Sequence, residues 1–399
     1  MNKRALFFPS PPSSGSIGSS IKCLGLAKEL TSRGYECAFV IGGELGRFFK
    51  SKGFCVFDFP VPKHKKTLQD INNVFDFMDW TGLLDEEYIE TSINKEIKAI
   101  NNFRPDVAFT ETRLSTGISL PSKNIPYIAV TSGPCTQYNM SSKHRIILNK
   151  INKIKKNYLL KPSQSITELL SNNATVQISP SIPELEPLLK THNNIIFTGH
   201  ALHLGYDDNY TEENKFDYWL EKQKERKILM VYLSVGALSP TLYKKVLLDT
   251  IDKLEMSVVC CLGNHYLVDN IDNDINNNIF FSKYIPMNKL KDKISFMIFH
   301  GGQDTMMFSL LNGTPSICFP GQHFERRYNA EQLQKLGVSK SCELYSFRNN
   351  SLIKHIKNLI TTPKKTLDLW SELVQSYGGL NKCIEIFNNI NSFTNKNNH

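Results

Sequence analysis

The chain has 399 residues, a formal net charge of +9, 41% hydrophobic residues and 21% charged residues. This length exceeds what one ordinary hydrophobic core serves and suits two domains, and the composition is that of globular proteins. No apolar run is long enough for a membrane-spanning helix, and the apolar stretch after the basic N-terminus is too short for a signal peptide. We therefore expect a cytoplasmic protein.

The positive charge does not by itself indicate nucleic-acid binding, because the basic residues are dispersed along the chain. A modest positive field equally suits a phosphate-bearing small substrate or an anionic membrane surface. The nine cysteines are odd in number and never spaced C-x-x-C, which indicates reduced thiols. His200-x-x-His203 comes nearest to metal-ligand spacing, and we expect neither a metal site nor a nucleic-acid partner.

The first elements predict the start of a parallel, doubly wound sheet. Residues 4–9 form a short apolar run, Ser19–Ser32 has apolar residues at helical spacing before Gly34, and 35–43 is apolar again. A strand, a glycine-containing turn, a helix and a strand in this order are typical of α/β folds. Further strands are predicted at 53–59, 106–112, 125–132, 175–181 and 194–199.

A polar stretch between about 200 and 225 predicts a linker, after which a second alternation of strands and helices begins. Its predicted strands are 227–237, 256–263, 278–286, 295–302 and 314–321. Its predicted helices are 239–254, 305–312, 327–337, 350–361 and 364–392. The sequence therefore predicts two α/β domains of similar size, 1–205 and 206–399, with a last helix able to pack back on the first domain.

The segment 298–330 carries the clearest indication of a ligand site. A predicted strand leads into His300, Gly301 and Gly302, and a helix begins near Asp304–Thr305. Glycines let a backbone approach a ligand closely, and the free amides at a helix start favour phosphate. Because ligands of open α/β sheets bind at the carboxyl ends of the strands, we expect a phosphate site here.

The same segment resembles the nucleotide-sugar signature of GT-B glycosyltransferases of the UDP-glycosyltransferase and macrolide glycosyltransferase superfamily. That signature reads roughly H-G-G-x-G-T-x-x-E-A-L-x-x-G-x-P, followed by P and by D-Q-x-x-N-A. The residues that match it in register are His300, Gly301, Gly302, Thr305, Leu310, Gly313, Pro315, Pro320, Asn329 and Ala330. The resemblance implies an α/β fold of GT-B architecture, with two Rossmann-like, doubly wound parallel-sheet domains facing a central cleft.

Four further segments resemble parts of the same superfamily: 15–34, 105–127, 231–237 and 284–287. The resemblance implies that Gly15 and Gly18 lie in the acceptor loop of the N-terminal domain. It also implies that the turn at Gly236 faces the donor phosphates and that Tyr284 stacks on the nucleobase.

By this resemblance, His300 and Thr305 contact the donor diphosphate together with the backbone amides of the glycine turn. Glu325 takes the place of an aspartate that binds sugar hydroxyls, and Asn329 supports the same loop. The donor is expected to be a UDP- or dTDP-linked sugar, which acts as co-substrate, and no other cofactor is expected.

The chain departs from the family pattern at the catalytic base. Family members usually carry a histidine after the second glycine of the first loop, whereas Ser19 follows Gly18 here. A serine hydroxyl has no useful basicity near neutral pH by itself, so Ser19 is the weaker catalytic candidate. Glu111 occupies the carboxylate position and is either the base, directly or through water, or a structural partner of Arg113. Alternatively, the acceptor is already nucleophilic, and the protein then needs only to position it and no base is required.

Three donor-site positions also depart from the family pattern. Phe308 replaces a glutamate that commonly holds the ribose. Asp304 stands where relatives have glycine or asparagine, and its carboxylate would be repelled by a diphosphate unless it caps the helix or meets a metal. We expect Asp304 to be the N-cap. Arg326 replaces the usual glutamine and either partly neutralises Asp304 or reads an acidic sugar.

The sequence therefore predicts an inverting glycosyltransferase that moves a sugar from a UDP- or dTDP-sugar to a small-molecule, natural-product or lipid-linked acceptor. Two alternatives stay open: a catalytically impaired homologue that acts as a nucleotide-sugar-binding or activator protein, and an NDP-sugar epimerase or hydrolase. Residues 143–161 predict a basic amphipathic helix that either contacts a membrane peripherally or packs on the sheet.

Overall fold

The protein, described by a computed structural model, forms two compact units: Met1–His203 with Tyr377–His399, and Leu204–Ser376. Each unit is built around one parallel β-sheet. The α/β class with two doubly wound parallel sheets, predicted from the sequence, is confirmed. The structure describes residues 3–11, 18–65, 71–136, 141–190, 192, 194–201, 213–223, 226–233, 245–249, 253–261, 278–282, 285, 287–347 and 349–394.

The first unit contains seven strands: β1 (Arg4–Phe8), β2 (Glu36–Val40), β3 (Cys55–Phe57), β4 (Val107–Glu111), β5 (Tyr127–Val130), β6 (Val176–Ser179) and β7 (Ile195–Phe197). They pair in parallel in the order β3-β2-β1-β4-β5-β6-β7. The chain runs outward from β1 to β3 and then returns to the other side of β1. The strand order therefore reverses between β1 and β4, and open α/β sheets bind ligands at such a switch point.

Helices connect these strands, which is why the central strands are apolar at consecutive positions. Residues Ala5 to Phe8 of β1 are fully buried, as expected for a parallel strand covered on both faces. The helices of this part of the chain are α1 (Gly18–Ser32), α2 (Gly43–Ser51), α3 (Val74–Trp80), α4 (Glu86–Phe103), α5 (Thr116–Ser122) and α6 (Ser142–Asn157).

The second unit contains six strands: β8 (Lys227–Tyr232), β9 (Met256–Cys261), β10 (Ile279–Ser282), β11 (Ile294–Phe299), β12 (Ser316–Cys318) and β13 (Ser339–Ser341). They pair in parallel in the order β10-β9-β8-β11-β12-β13. The switch point of this sheet lies between β8 and β11. Its helices are α7 (Glu213–Lys222), α8 (245–249), α9 (Met287–Leu290), α10 (Gln303–Leu311), α11 (Phe324–Lys335), α12 (Asn349–Leu359) and α13 (Lys364–Ser376).

The last helices, α14 (Gly379–Asn388) and α15 (Ile390–Thr394), are grouped with the first unit. The ring of Phe387 lies 5.9 Å from the rings of both Phe7 and Phe109. The amide of Gly379 donates to the carbonyl oxygen of Thr198 at 2.7 Å. With φ of +53° and a Cβ position only 2.7 Å from the carbonyl oxygen of His200, position 379 requires glycine.

Three local predictions differ from the structure. The predicted linker near 200–225 contains α7, because Phe216 and Trp219 recur at helical spacing and are buried in an otherwise polar segment. The single helical region predicted at 364–392 is interrupted at Gly378, which has φ of +83°. Strand β13 and helices α2 to α5 were not predicted, since β13 has only three residues and no apolar alternation.

Candidate active site

The predicted donor residues follow β11, at the switch point of the second sheet. The strand ends at Phe299, the chain turns through His300 and Gly301, and α10 begins directly after Gly302. Gly301 has φ of +84°, a conformation that residues with a side chain rarely adopt. The turn therefore depends on glycine.

The start of α11 packs directly against this turn. A Cβ atom at Gly301 would lie 2.7 Å from the carbonyl oxygen of Arg326. The side-chain amide of Asn329, which is buried, donates to the carbonyl oxygen of Gly301 at 2.9 Å. At Gly302, a Cβ atom would lie 2.9 Å from Nε2 of His300. The backbone thus occupies space that side chains would otherwise fill, and the starts of two helices meet at one turn.

The first turn of α10 offers backbone amides for an anion. Its N-cap is Gly302, which provides no side-chain hydrogen bond to the helix. Asp304 is therefore not the N-cap, and that prediction was wrong: the residue lies inside the first turn, where a carboxylate interacts favourably with the helix dipole. Thr305 is 8% exposed, and Phe308 is buried in the core, where it cannot contact a ribose.

His300 links the two strands at the switch point. Its Nδ1 lies 3.3 Å from the carbonyl oxygen of Tyr232, the last residue of β8, and its ring meets the Tyr232 ring edge-on at 5.0 Å. Burial, with the nearby charge of Arg326, lowers the pKa of His300 to about 3. A carbonyl oxygen only accepts, so the neutral ring carries its proton on Nδ1. Nε2 is then an acceptor and donates to a phosphate oxygen only in the imidazolium form.

Arg326 brings a positive charge to the same turn. It lies in the first turn of α11, and burial lowers the pKa of its guanidinium, whereas the adjacent Glu325 raises it. The charge of Arg326 also contributes to lowering the pKa of His323 to about 4. Arg326 donates no hydrogen bond to any residue that the structure describes. Glu325 is partly exposed beside it, so both predicted sugar-contacting side chains lie at the start of α11.

The predicted N-terminal residues meet at the switch point of the first sheet. Glu111 ends β4, and its backbone carbonyl accepts a hydrogen bond from the Ser10 hydroxyl at 2.9 Å. The amide of Ser10 donates to Oγ of Ser19 at 2.9 Å. Ser19 follows Gly18, which begins α1. The Ser19 hydroxyl thus joins the residues after β1 to the start of α1.

A residue that the sequence did not single out, Lys22, contacts the Glu111 carboxylate. Its Nζ lies 2.5 Å from Oε1, and the two side chains are 4% and 7% exposed. One feature of the sequence could have identified Lys22: it is a lysine within the apolar pattern of α1. It follows Ser19 by three residues and therefore lies on the same helix face.

Arg113 is not the partner of Glu111, so the structural alternative for Glu111 was wrong. The Nε atom of Arg113 donates to Oε1 of Glu96 at 2.9 Å, with both side chains almost fully buried. The hydroxyls of Ser115 and Ser119 also donate to the Glu96 carboxylate, each at 2.6 Å. Glu96 lies on α4, which packs against α5, the helix that begins three residues after Arg113.

Some predicted residues lie outside the described part of the chain: Gly15, Gly236, Tyr284 and His203. His200 is described and is buried. Among the described residues, no group of three or more His, Cys, Asp or Glu side chains is arranged to hold a metal ion. No described helix combines the length and the apolar character that crossing a membrane requires.

Helix α6 uses its apolar face for packing. Ile151 and Ile154 are buried, and Ile147 and Tyr158 are partly buried. The Tyr158 hydroxyl donates to Asn94 of α4 at 3.4 Å. This arrangement supports the packing alternative for 143–161 rather than peripheral membrane contact.

Comparisons with known proteins agree with this architecture. Residues 234–373 match the glycosyltransferase family 28 C-terminal domain. A sterol 3-beta-glucosyltransferase of Komagataella phaffii is 24% identical over 250 residues, which is 60% of this chain but only 20% of that protein. The chain thus matches about a fifth of the length of this curated relative.

Solved structures share the fold over nearly the whole chain. The glycotransferase of kitacinnamycin has a TM-score of 0.73 at 16% identity, covering 98% of this chain and 99% of that one. The glycosyltransferase VinC, solved in complex with DTDP, has a TM-score of 0.69 at 12% identity, covering 97% and 99%. The two-sheet fold is of the GT-B type. Residues 234–373 thus resemble the C-terminal domain of glycosyltransferase family 28, and the chain shares the fold of solved glycosyltransferases over nearly its whole length.

Proposed function

We propose that the protein is an inverting glycosyltransferase that moves a sugar from a UDP- or dTDP-sugar to a small-molecule, natural-product or lipid-linked acceptor. The observation that carries this proposal is the turn after β11. There, two glycines bring the backbone close to the starts of α10 and α11, and the first turn of α10 has no side-chain cap. Such a turn suits a diphosphate.

The glycine turn after β11 brings positively polarised groups of the protein together. The amides of the first turn of α10 and the guanidinium of Arg326 supply positive potential at one place. In a displacement at the anomeric carbon, negative charge grows on the departing diphosphate, and fixed donors stabilise it there. A GT-B structure holding DTDP supports a nucleoside diphosphate as the ligand.

Glu111 is the proposed general base. It is the carboxylate that ends β4 at the switch point of the first sheet, and it is buried. Relatives named for sterol and for natural products support an apolar hydroxyl-bearing acceptor. The hydroxyl proton would pass to Glu111 while the acceptor oxygen bonds to the anomeric carbon.

The proposal is tested by incubating the protein with UDP- and dTDP-sugars, with and without a panel of sterols and polyketide aglycones. Release of free nucleoside diphosphate only when donor and acceptor are both present is the expected result. Binding of UDP or dTDP without turnover would instead identify a binding or activator protein. Consumption of the donor without acceptor would identify an epimerase or hydrolase.

A further inference from the structure

The Lys22–Glu111 ion pair lies close to the position of the missing family histidine, because Lys22 follows Ser19 by three residues on α1. Lys22 projects from α1, and its Nζ lies 2.5 Å from Oε1 of Glu111 at the end of β4. The two residues are 89 positions apart in sequence and meet because β1, which precedes α1, pairs with β4. A buried lysine side chain is costly unless it is paired, so this position is specified by its partner.

The two oxygens of the Glu111 carboxylate differ in their surroundings. Oε1 accepts from Lys22, whereas Oε2 is buried and has no hydrogen-bond partner among the described residues. A buried acceptor without a donor has lost its hydrogen bonds to water without replacement, and the cost is larger when the acceptor is charged. A ligand hydroxyl that donates to Oε2 would remove this cost. One oxygen is thus held by the protein, and the other is left for a ligand.

We propose that Lys22 is a positioning residue that holds Glu111 by Oε1, so that Oε2 receives the proton of the acceptor hydroxyl. This inference rests on the proposed function. The acceptor oxygen forms a bond to the anomeric carbon, the bond from that carbon to the diphosphate oxygen breaks, and its electron pair leaves with the diphosphate. The hydroxyl proton moves to Oε2. Lys22 keeps its own proton throughout.

The transfer step needs only a weak base at Glu111. As the acceptor oxygen bonds to an oxocarbenium-like carbon, its proton becomes strongly acidic, so a weak base placed close to it suffices.

The neighbouring groups leave this assignment intact. Cys383 of α14 also lies within reach of the Lys22 charge, but burial raises the pKa of its thiol to about 11, so it stays neutral. Cys23 lies next to Lys22 on α1. Arg113, two residues after Glu111, is engaged by Glu96 at 2.9 Å. The hydroxyls of Ser10 and Ser19 also lie at the end of β4, and neither titrates near neutral pH.

The test measures sugar transfer by Lys22→Met, Lys22→Arg, Glu111→Gln and the double variant Lys22→Met/Glu111→Gln. Lys28→Met, on the same helix and partly exposed, is the matched control. Lys22→Met should lower kcat about 100-fold, which is within the usual contribution of a general base, without changing the KM for the donor. Lys22→Arg should restore part of the rate.

Two readouts separate positioning from a structural role. The first is the split between kcat and KM: in Lys22→Met the carboxylate is no longer held, so kcat should fall while the KM for the donor stays that of the wild type. In the Glu111→Gln background, Lys22→Met should cause no further loss, because both act through one carboxylate. This double variant also removes both charges and so avoids leaving one buried charge unpaired.

An unchanged kcat in Lys22→Met, or an equal loss of kcat from Lys22→Met in both backgrounds, would overturn the assignment of Lys22 while leaving the proposed function standing. If the wild-type protein transfers no sugar in the presence of donor and acceptor, the proposed function fails and the assignment of Lys22 fails with it. If Lys22→Met does not fold, Lys22→Arg and the double variant decide the same question.

Discussion

Replacing Gly301 by alanine tests directly whether the glycine turn after β11 binds the donor. With φ of +84°, alanine adopts the left-handed region at a cost of about 1–2 kcal/mol. Its Cβ would lie 2.7 Å from the Arg326 carbonyl oxygen, so that oxygen must recede by about 0.7 Å to reach ordinary contact at 3.4 Å. Overpacking of this kind costs about 1–3 kcal/mol. Gly301→Ala should therefore lose about 2–5 kcal/mol of unfolding free energy.

Gly337→Ala is the matched control, because Gly337 has φ of +77° and no atom within 4 Å of its Cβ position. It should lose only the backbone contribution, about 1–2 kcal/mol. Urea unfolding measures both free energies, and calorimetric titration measures the affinity for UDP and dTDP. Gly301→Ala should bind at least about tenfold more weakly, since misplacement by 1 Å can cost about 100-fold, whereas Gly337→Ala should bind as the wild type does. Equal affinities in the two variants would refute the assignment of the phosphate site to this turn.

Three further predictions concern charge. Arg326→Gln should weaken UDP binding about tenfold, because a hydrogen bond to a charged group contributes about 1.5–3 kcal/mol; unchanged calorimetric affinity would indicate that Arg326 reads the sugar instead. His300 has its pKa lowered from 6.5 to about 3, so the unfolded chain takes up a proton first and stability falls as pH drops through this range. His300→Gln should show a shallower fall in urea-unfolding free energy between about pH 6.5 and pH 4, and a slope equal to that of the wild type would contradict the argument. Glu96→Gln should lower the free energy of unfolding in urea by about 3–5 kcal/mol, because it leaves Arg113 buried without its ion-pair partner, whereas exposed Glu87→Gln should change it by less than about 0.5 kcal/mol in the same assay.

The sequence by itself determined most of the strands, the first helix and the position of the glycine turn, whereas helices α2 to α5 were not predicted. These features depend on local chemistry: consecutive apolar residues define buried parallel strands, and a pair of glycines before a helix start defines a turn that a ligand can approach. The short strand β13 and the helix α7 within the predicted linker were not predicted. A three-residue strand shows no hydrophobic periodicity, and two buried aromatic residues in a polar segment give only a weak helical periodicity.

Only the tertiary structure decided which charges meet. Glu111 and Glu96 are both carboxylates near Arg113 in the folded first unit, yet Arg113 pairs with Glu96 and Glu111 pairs with Lys22. Sequence separation does not predict this choice, since each pair joins different elements brought together by strand order. Likewise, the glycine turn was visible in the sequence, whereas its packing against Arg326 depends on where α11 begins in space. Periodicity and turn chemistry act between neighbours along the chain, but ion pairing acts through space, so only the fold assigns the partners.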